Sequence, residues 1–322
     1  MLSTRTAKTA KTALKIGVGA AAAVMGAGAL VYECALNTKI NRFFIDLLDD
    51  RPEPTQKASG QDEVRSYDPD WMKTHKGDDQ VITTDATGPI HAYIIPAEDP
   101  SHKWAVLCHG YNASPESTGV FAEHYHKLGY NCICPSMRGW GNDENNYCTM
   151  GYHDKKLCMA WIDYIVDKDP DAQIVLHGYS MGAVTVMLAT GEALPPQVKA
   201  AVSDCGFTSC WEQYANVIRL YAKLPAFPLL HAVNATSMLR GNFNIRKNLP
   251  IEAVRRSVTP TVFLHGTADD FVPFSMMDRL YDACAAPKAK QAIEGADHAH
   301  AVYTDPALYW KTVDNFLKDK IT

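Results

Sequence analysis

From Pro89 to the C-terminus, short apolar runs alternate with longer stretches of helical spacing. Ile90–Ile95, Trp104–Cys108, Asn131–Cys134, Ala172–Leu176, Lys199–Ser203, Thr261–Leu264 and Ala289–Ile293 read as strands. Ser117–Leu128, Gly151–Asp167, Met181–Thr190, Ser275–Ala283 and Pro306–Leu317 read as helices; in Gly151–Asp167 the residues Leu157, Trp161, Tyr164 and Ile165 share one face. Short, continuously apolar strands separated by helices predict an α/β domain over 89–322, with a mostly parallel sheet covered on both faces. Sheets of this kind bind ligands at the carboxyl ends of their strands. One segment breaks the alternation. Cys205–Ser257 is too long for a single crossover and reads as a helical cap insertion, its aromatics mostly packed on the sheet domain and a minority lining an apolar pocket.

The first 36 residues follow a different pattern and are expected to stand apart from the globular part. Arg5, Lys8, Lys11 and Lys15 precede an uncharged run from Ile16 to Tyr32. Seventeen residues at 1.5 Å each make roughly 25 Å of helix, against about 30 Å of hydrocarbon in a bilayer. The basic flank favours a cytoplasmic N-terminus. An uncleaved signal anchor is the leading reading. A secretory peptide cut near Ala27-Gly28-Ala29 competes with it, as does a buried Ala-rich helix. Both membrane-targeted readings put the rest of the chain outside the cytoplasm. Residues 37–88 read as a connector leading into the fold, with Asp49–Asp70 a polar, Pro-containing linker.

Composition narrows the function classes. With 47% hydrophobic and 21% charged residues the chain is an ordinary packed protein. A net charge of −5 gives no basic field for nucleic acid. Nine cysteines without a C-x-x-C pair make neither a zinc framework nor a disulfide scaffold and read mostly as small buried hydrophobes. Oligomeric state has no signature in the sequence.

The chemistry gathers at strand ends. Gly178-Tyr179-Ser180-Met181-Gly182 sits between a strand and a helix, the context in which a G-x-S-x-G turn exposes a nucleophilic serine. A serine hydroxyl needs a base. His298, after the final strand, is the choice, with His300 the runner-up; an Asp297-His298-x-His300 metal site lacks a third ligand. The imidazole needs an acid to orient it. Asp269 in Asp-x-x-Val-Pro is favoured over Asp270 and Asp204. Donors for an oxyanion are expected from the N–H groups of Met181 and of Tyr111, in the loop after Trp104–Cys108. His109, His177 and His265, each followed by glycine at a strand end, read as packed edge residues. Arg138-Gly139-Trp140-Gly141 either faces the site or holds Arg138 against Asp143 or Glu144.

The segments 109–114, 136–143, 178–182, 203–209, 265–273 and 294–306 together resemble an α/β-hydrolase-fold serine hydrolase from about residue 81 onward. More narrowly, the segments at 203–209 and 303–306 resemble membrane-anchored bacterial BEM46-like and serine-aminopeptidase-like hydrolases. The resemblance implies a Ser180–Asp269–His298 triad, an oxyanion hole from Tyr111 and Met181, and neither a metal nor an organic cofactor. The expected function is hydrolysis of a small-molecule carboxylic ester or other acyl substrate. A peptidase or amidase with the same triad is one alternative, a non-catalytic binding protein on this fold another. The loop at 109–112 is not a His-Gly-Gly-Gly run, which argues against bulky tertiary-alcohol esters. In the cap, Glu212 and Glu252 face seven Lys and Arg residues, which disfavours recognition of an ammonium group.

Overall fold

The structure is a computed structural model that describes residues 4–41, 68 and 70–322, with side chains from Val18 onward. The expected linker Asp49–Asp70 lies almost wholly outside the described residues. Eight strands form one sheet: β1 Asp79–Thr84, β2 Gly88–Ile95, β3 Lys103–Cys108, β4 Asn131–Pro135, β5 Gln173–Tyr179, β6 Val198–Asp204, β7 Thr261–Gly266 and β8 Lys288–Ile293. Their spatial order is β1-β2-β4-β3-β5-β6-β7-β8. The pairs β1–β2 and β2–β4 are antiparallel and the other five parallel. β1 was not expected. It falls inside the stretch read as a connector, and its mostly polar residues occupy a sheet edge where only part of each face is covered.

The central strands are apolar on both faces because both faces are buried. In β5, Ile174 and Leu176 join one core and Val175 the other, as a two-residue side-chain period requires. Helices Asp154–Lys168, Met181–Thr190, Pro250–Arg256 and Ser275–Ala283 supply the first core; Gly119–Lys127 and Pro306–Leu317 supply the second. The expected insertion is helical, with Cys210–Val217, a π turn at Ile218–Ala222 and Leu229–Arg240.

The N-terminal helix runs Thr4–Leu36. Its last turns do not stand apart. Tyr32 and Leu36 are fully buried in the same core as the sheet helices. Gly28 lies where a side chain would collide with Ala232 and Val233 of the cap helix Leu229–Arg240. Glu33 pairs with Arg240, and Tyr32 packs on Tyr147 at 5.5 Å. The helix ends at Leu36, where the first segment was expected to end, but its last turns are packed against the domain rather than held apart from it. The uncharged run conceals this, because a small-residue helix face suits a bilayer and a close helix crossing equally. All nine cysteines are free, and all but Cys34 are buried.

Candidate active site

Parallel pairing brings the strand ends into line. Gly178 lies opposite Cys108 across β5–β3, Tyr179 opposite Asp204 across β5–β6, and Gly266 opposite Ile293 across β7–β8. The loops that leave these ends carry the sequence-derived site residues.

Ser180 occupies the sharp turn from β5 into helix Met181–Thr190 with φ 53° and ψ −118°, a conformation L-residues adopt at a cost. The surroundings hold it there. The Ser180 N–H donates to Asp204 O at 2.8 Å and Val184 N–H to Ser180 O at 3.1 Å. The flanking glycines are obligatory: a Cβ on Gly182 would stand 1.9 Å from Cys108 O, and one on Gly178 2.3 Å from Gly182.

The structure brings Ser180, His298 and Asp269 together. Ser180 Oγ lies 2.8 Å from His298 Nε2, and His298 Nδ1 lies 2.8 Å from Asp269 Oδ2. A carboxylate only accepts, so Nδ1 carries the proton and Nε2 is left as an acceptor for the serine hydroxyl. Asp269 is buried. Burial alone would push its carboxyl up, but donors from His265 and His298 outweigh it and hold the group down at about 2. Its Oδ1 also accepts the Val272 N–H at 2.8 Å. The ring of Phe271 covers His298 at 4.8 Å.

The competing residues are elsewhere. Asp270 is exposed. His300 pairs with Asp297 at 2.6 Å on the surface, while the His298 ring turns to Ser180 and Asp269. Among the described residues, Cys205, Asp269 and His298 have potential ligand atoms within 4.8 Å of one another, but both imidazole nitrogens are engaged by Ser180 and Asp269. Asp204 is buried and accepts from Tyr309 OH at 3.0 Å rather than from His298; burial pushes its carboxyl up to about 6.

His265 departs from the packed-edge expectation. Its Nε2 lies 3.0 Å from Asp269 Oδ2 and 2.9 Å from Val272 O. Both are acceptors, so Nε2 bears a proton directed at the same oxygen His298 uses. The repeated His-Gly pair, combined with a carboxylate four residues on, is the signal that could have found it. The other two histidines are packed as expected. His109 lies 2.8 Å from Gly110 O through Nδ1 and accepts the Met137 N–H at 3.0 Å; burial lowers it to about 4. His177 bridges Tyr309 OH at 2.9 Å and Tyr125 OH at 3.1 Å, and burial lowers it to about 3.

Met181 opens its helix, where first-turn N–H groups have no intrahelical acceptor. Tyr111 lies in the loop after β3. Its ring meets Trp140 edge-on at 5.2 Å and its hydroxyl donates to Ala35 O of the N-terminal helix, so the side chain is a strut between loop and helix. The Arg138 N–H donates to the buried Asp154 carboxylate at 2.6 Å, while Asp143 accepts from Gly139 and Asn145 N–H groups. A cleft of about 400 Å³ opens beside the Tyr111 loop, between Asn112–Glu116 and Trp140–Asn142.

Comparisons with known proteins agree with the fold. A family model described as the alpha/beta hydrolase fold matches residues 104–236. The chain is 27% identical to the uncharacterized protein YqkD of Bacillus subtilis over 226 residues, which span 70% of this chain and 73% of that protein. It is 26% identical to the lysophosphatidylserine lipase ABHD12 of Danio rerio over 171 residues, 50% of this chain and 41% of the lipase. The solved structure of the Pyrococcus furiosus esterase Pf2001 superposes with a TM-score of 0.62 at 22% identity, covering 80% of this chain and 96% of the esterase.

Proposed function

The chain has the α/β-hydrolase fold, and from that premise we propose that it is a serine hydrolase cleaving carboxylic esters through an acyl-enzyme on Ser180, His298 and Asp269. The observation that carries the reading is the unbroken hydrogen-bond chain from Ser180 Oγ through both nitrogens of His298 to Asp269 Oδ2.

The chemistry follows from the proton inventory. His298 Nε2 takes the Ser180 proton as Oγ attacks the carbonyl carbon, and the anionic Asp269 stabilises the imidazolium that forms. The negative charge developing on the carbonyl oxygen is met by the N–H groups of Met181 and Tyr111, the former reinforced by the positive end of its helix. His298 returns the proton to the leaving alkoxide. Water, activated by the same nitrogen, then opens the acyl-enzyme.

An aminopeptidase would need an unpaired carboxylate in the cap to hold the substrate ammonium. Glu212 pairs with Arg279 at 3.1 Å and Glu252 with Arg255 at 2.5 Å. The cap's remaining charge is basic, which favours neutral or anionic acyl substrates. The N-terminal helix completes the reading as a single-pass anchor with the hydrolase domain outside the cytoplasm. Val18–Leu36 passes as a span by length and composition, and the part ahead of Gly28, which is mostly exposed, is the part free to enter a membrane.

The test is covalent. The parent chain should label stoichiometrically with a fluorophosphonate and turn over p-nitrophenyl butyrate. Ser180→Ala should lose the label and reduce turnover by a factor on the order of 10⁴ or more. Undiminished labelling of that variant would sink the assignment.

A further inference from the structure

The cap carries an apolar edge that is exposed among the described residues. Tyr221, Leu224 and Phe227 are 68%, 51% and 71% exposed, in a run whose residues from 221 to 228 are all exposed except Ala226. Single exposed hydrophobes are ordinary, whereas three within seven residues form a patch that needs an occupant. We propose that this edge is a bilayer-docking surface, seated among lipid headgroups and the outer part of the acyl chains beside the point where the N-terminal helix leaves the protein. The proposal rests on the anchor reading above.

The direction of the helices places the patch. Gly28 meets Ala232 and Val233, Tyr32 meets Gly241, and Glu33 meets Arg240. Residue numbers rise together along both helices, so they run parallel. The run 221–227 leads into the N-terminal end of the cap helix. It therefore lies toward the end of the N-terminal helix that departs from the body, where residues 18–27 are exposed apart from the half-buried Val24.

Length supplies the second argument. Gly28, Tyr32 and Leu36 are buried against the protein, while Leu30 between them is 65% exposed. The uncharged stretch ahead of Gly28 in the sequence is Ile16–Ala27, twelve residues or roughly 18 Å of helix. A bilayer presents about 30 Å of hydrocarbon. A helix this short is matched to a bilayer when the protein surface around it sinks toward the lipid, when the bilayer thins or when flanking residues snorkel. The surface at that point is apolar, as sinking requires.

Charge agrees. Arg219 and Lys223 are exposed on the same segment and no acidic residue lies between Glu212 and Glu252. Long cationic side chains can bury their stems and hold their heads at phosphate level. The edge also adjoins the candidate site. Tyr221 lies 6.3 Å from Phe271, and Phe271 covers His298. A lipid-dissolved substrate docked at this edge would be one aromatic ring from the imidazole.

The experiment uses the full chain reconstituted into vesicles of phosphatidylcholine and phosphatidylglycerol, with or without brominated acyl chains. Phe227→Trp is compared with Val258→Trp, whose site is 85% exposed ahead of β7 at the opposite end of the sheet. After subtracting the parent's emission, the tryptophan at 227 should lose roughly half its fluorescence in brominated vesicles, as expected for a ring within the outermost 5–10 Å of the membrane. The tryptophan at 258 should be unchanged. A chain that co-sediments with vesicles but shows no quenching at 227, or equal quenching at both positions, overturns the docking surface and leaves the anchor standing. A chain that does not co-sediment overturns both. Emission is independent of ester hydrolysis, so the assignment of Ser180 is tested separately.

Discussion

The strand-end cluster and the seam between the N-terminal helix and the cap place their residues by different means. At the strand ends, each side chain leaves a β-strand whose register is fixed by its neighbours, and a few residues of loop complete the placement. Ser180 follows β5 directly, Asp269 lies three residues beyond β7, and His298 lies five beyond β8. At the seam, Gly28, Tyr32 and Glu33 find partners between 232 and 241; Glu33 and Arg240 are 207 positions apart. Nothing local specifies that meeting, only small residues, an aromatic and a shape. Register carries position through repeated backbone hydrogen bonds, whereas a seam carries it through packing that one side chain can undo.

The sharpest way to break the contrast is at Tyr32. If the seam is core rather than tether, Tyr32→Ala should destabilise the protein by roughly 3–5 kcal/mol, the range for removing a buried aromatic. Thermal unfolding of the full chain in detergent reads this directly. A helix that merely tethers would leave the hydrolase domain's melting temperature where it was, and the continuity of Tyr32 and Leu36 with the sheet core would lose its energetic meaning.

These two modes also explain what could be read from the sequence. The strands, their order of chemistry and the candidates Ser180, His298 and Asp269 were legible because each depends on a few adjacent residues. Gly178 and Gly182 announce a turn that admits no side chain, and Asp-x-x-Val-Pro encodes the carboxylate that accepts the Val272 N–H. β1 was not legible, since a polar edge strand has no apolar period to betray it. The seam was not legible either, because an Ala- and Gly-rich run has the same composition whether lipid or a cap helix lies against it. Tyr221 and Phe227 were expected mostly as packing residues. They are exposed, since the π turn and the Pro-rich run after it carry them away from the sheet.

A smaller effect separates the two acids at the strand ends. Asp204 is buried with its carboxyl raised to about 6, chiefly by burial, whereas an unfolded aspartate titrates near 3.8. The folded state therefore holds this proton more tightly than the unfolded chain. Below about pH 4 the group costs nothing; between pH 4 and 6 the penalty accumulates, reaching up to about 3 kcal/mol. Asp204→Asn keeps an acceptor for Tyr309 OH and removes the charge. Its unfolding free energy relative to the parent should rise from about zero at pH 4 to a clear gain at pH 8. The groups that bear on Asp204 are Tyr309, His265, His298 and Asp269. If denaturant unfolding gave the same difference at both pH values, Asp204 would be an ordinary ionised carboxylate.

The smallest effect bears on His265, and it asks whether register alone positions the acid. Asp269 sits at the end of β7, yet Oδ2 is also held by a fully buried imidazole four residues earlier. In that view His265 is a positioning residue: it fixes the oxygen to which His298 donates and never reaches the reacting atoms. His265→Leu removes the donor at similar volume and leaves Oδ2 with one partner fewer. Hydrogen bonds to charged groups contribute about 1.5–3 kcal/mol. Asp269 also keeps Val272 and His298, so a loss near the low end, roughly tenfold in kcat with KM unchanged, is expected. His265→Gln, which restores an N–H donor, should recover most of it. A purely structural role predicts a different pattern: lower stability in both variants, kcat per folded molecule unchanged, and no rescue. Acid stability gives a second readout. Asp269 is held at about 2 in the folded protein, so its contribution is present above about pH 4 and is lost as pH falls toward 2. With one donor removed, the folded-state value moves up toward that of the unfolded chain and the contribution shrinks, so His265→Leu should lose less of its remaining stability than the parent when both are taken from pH 5 to pH 3.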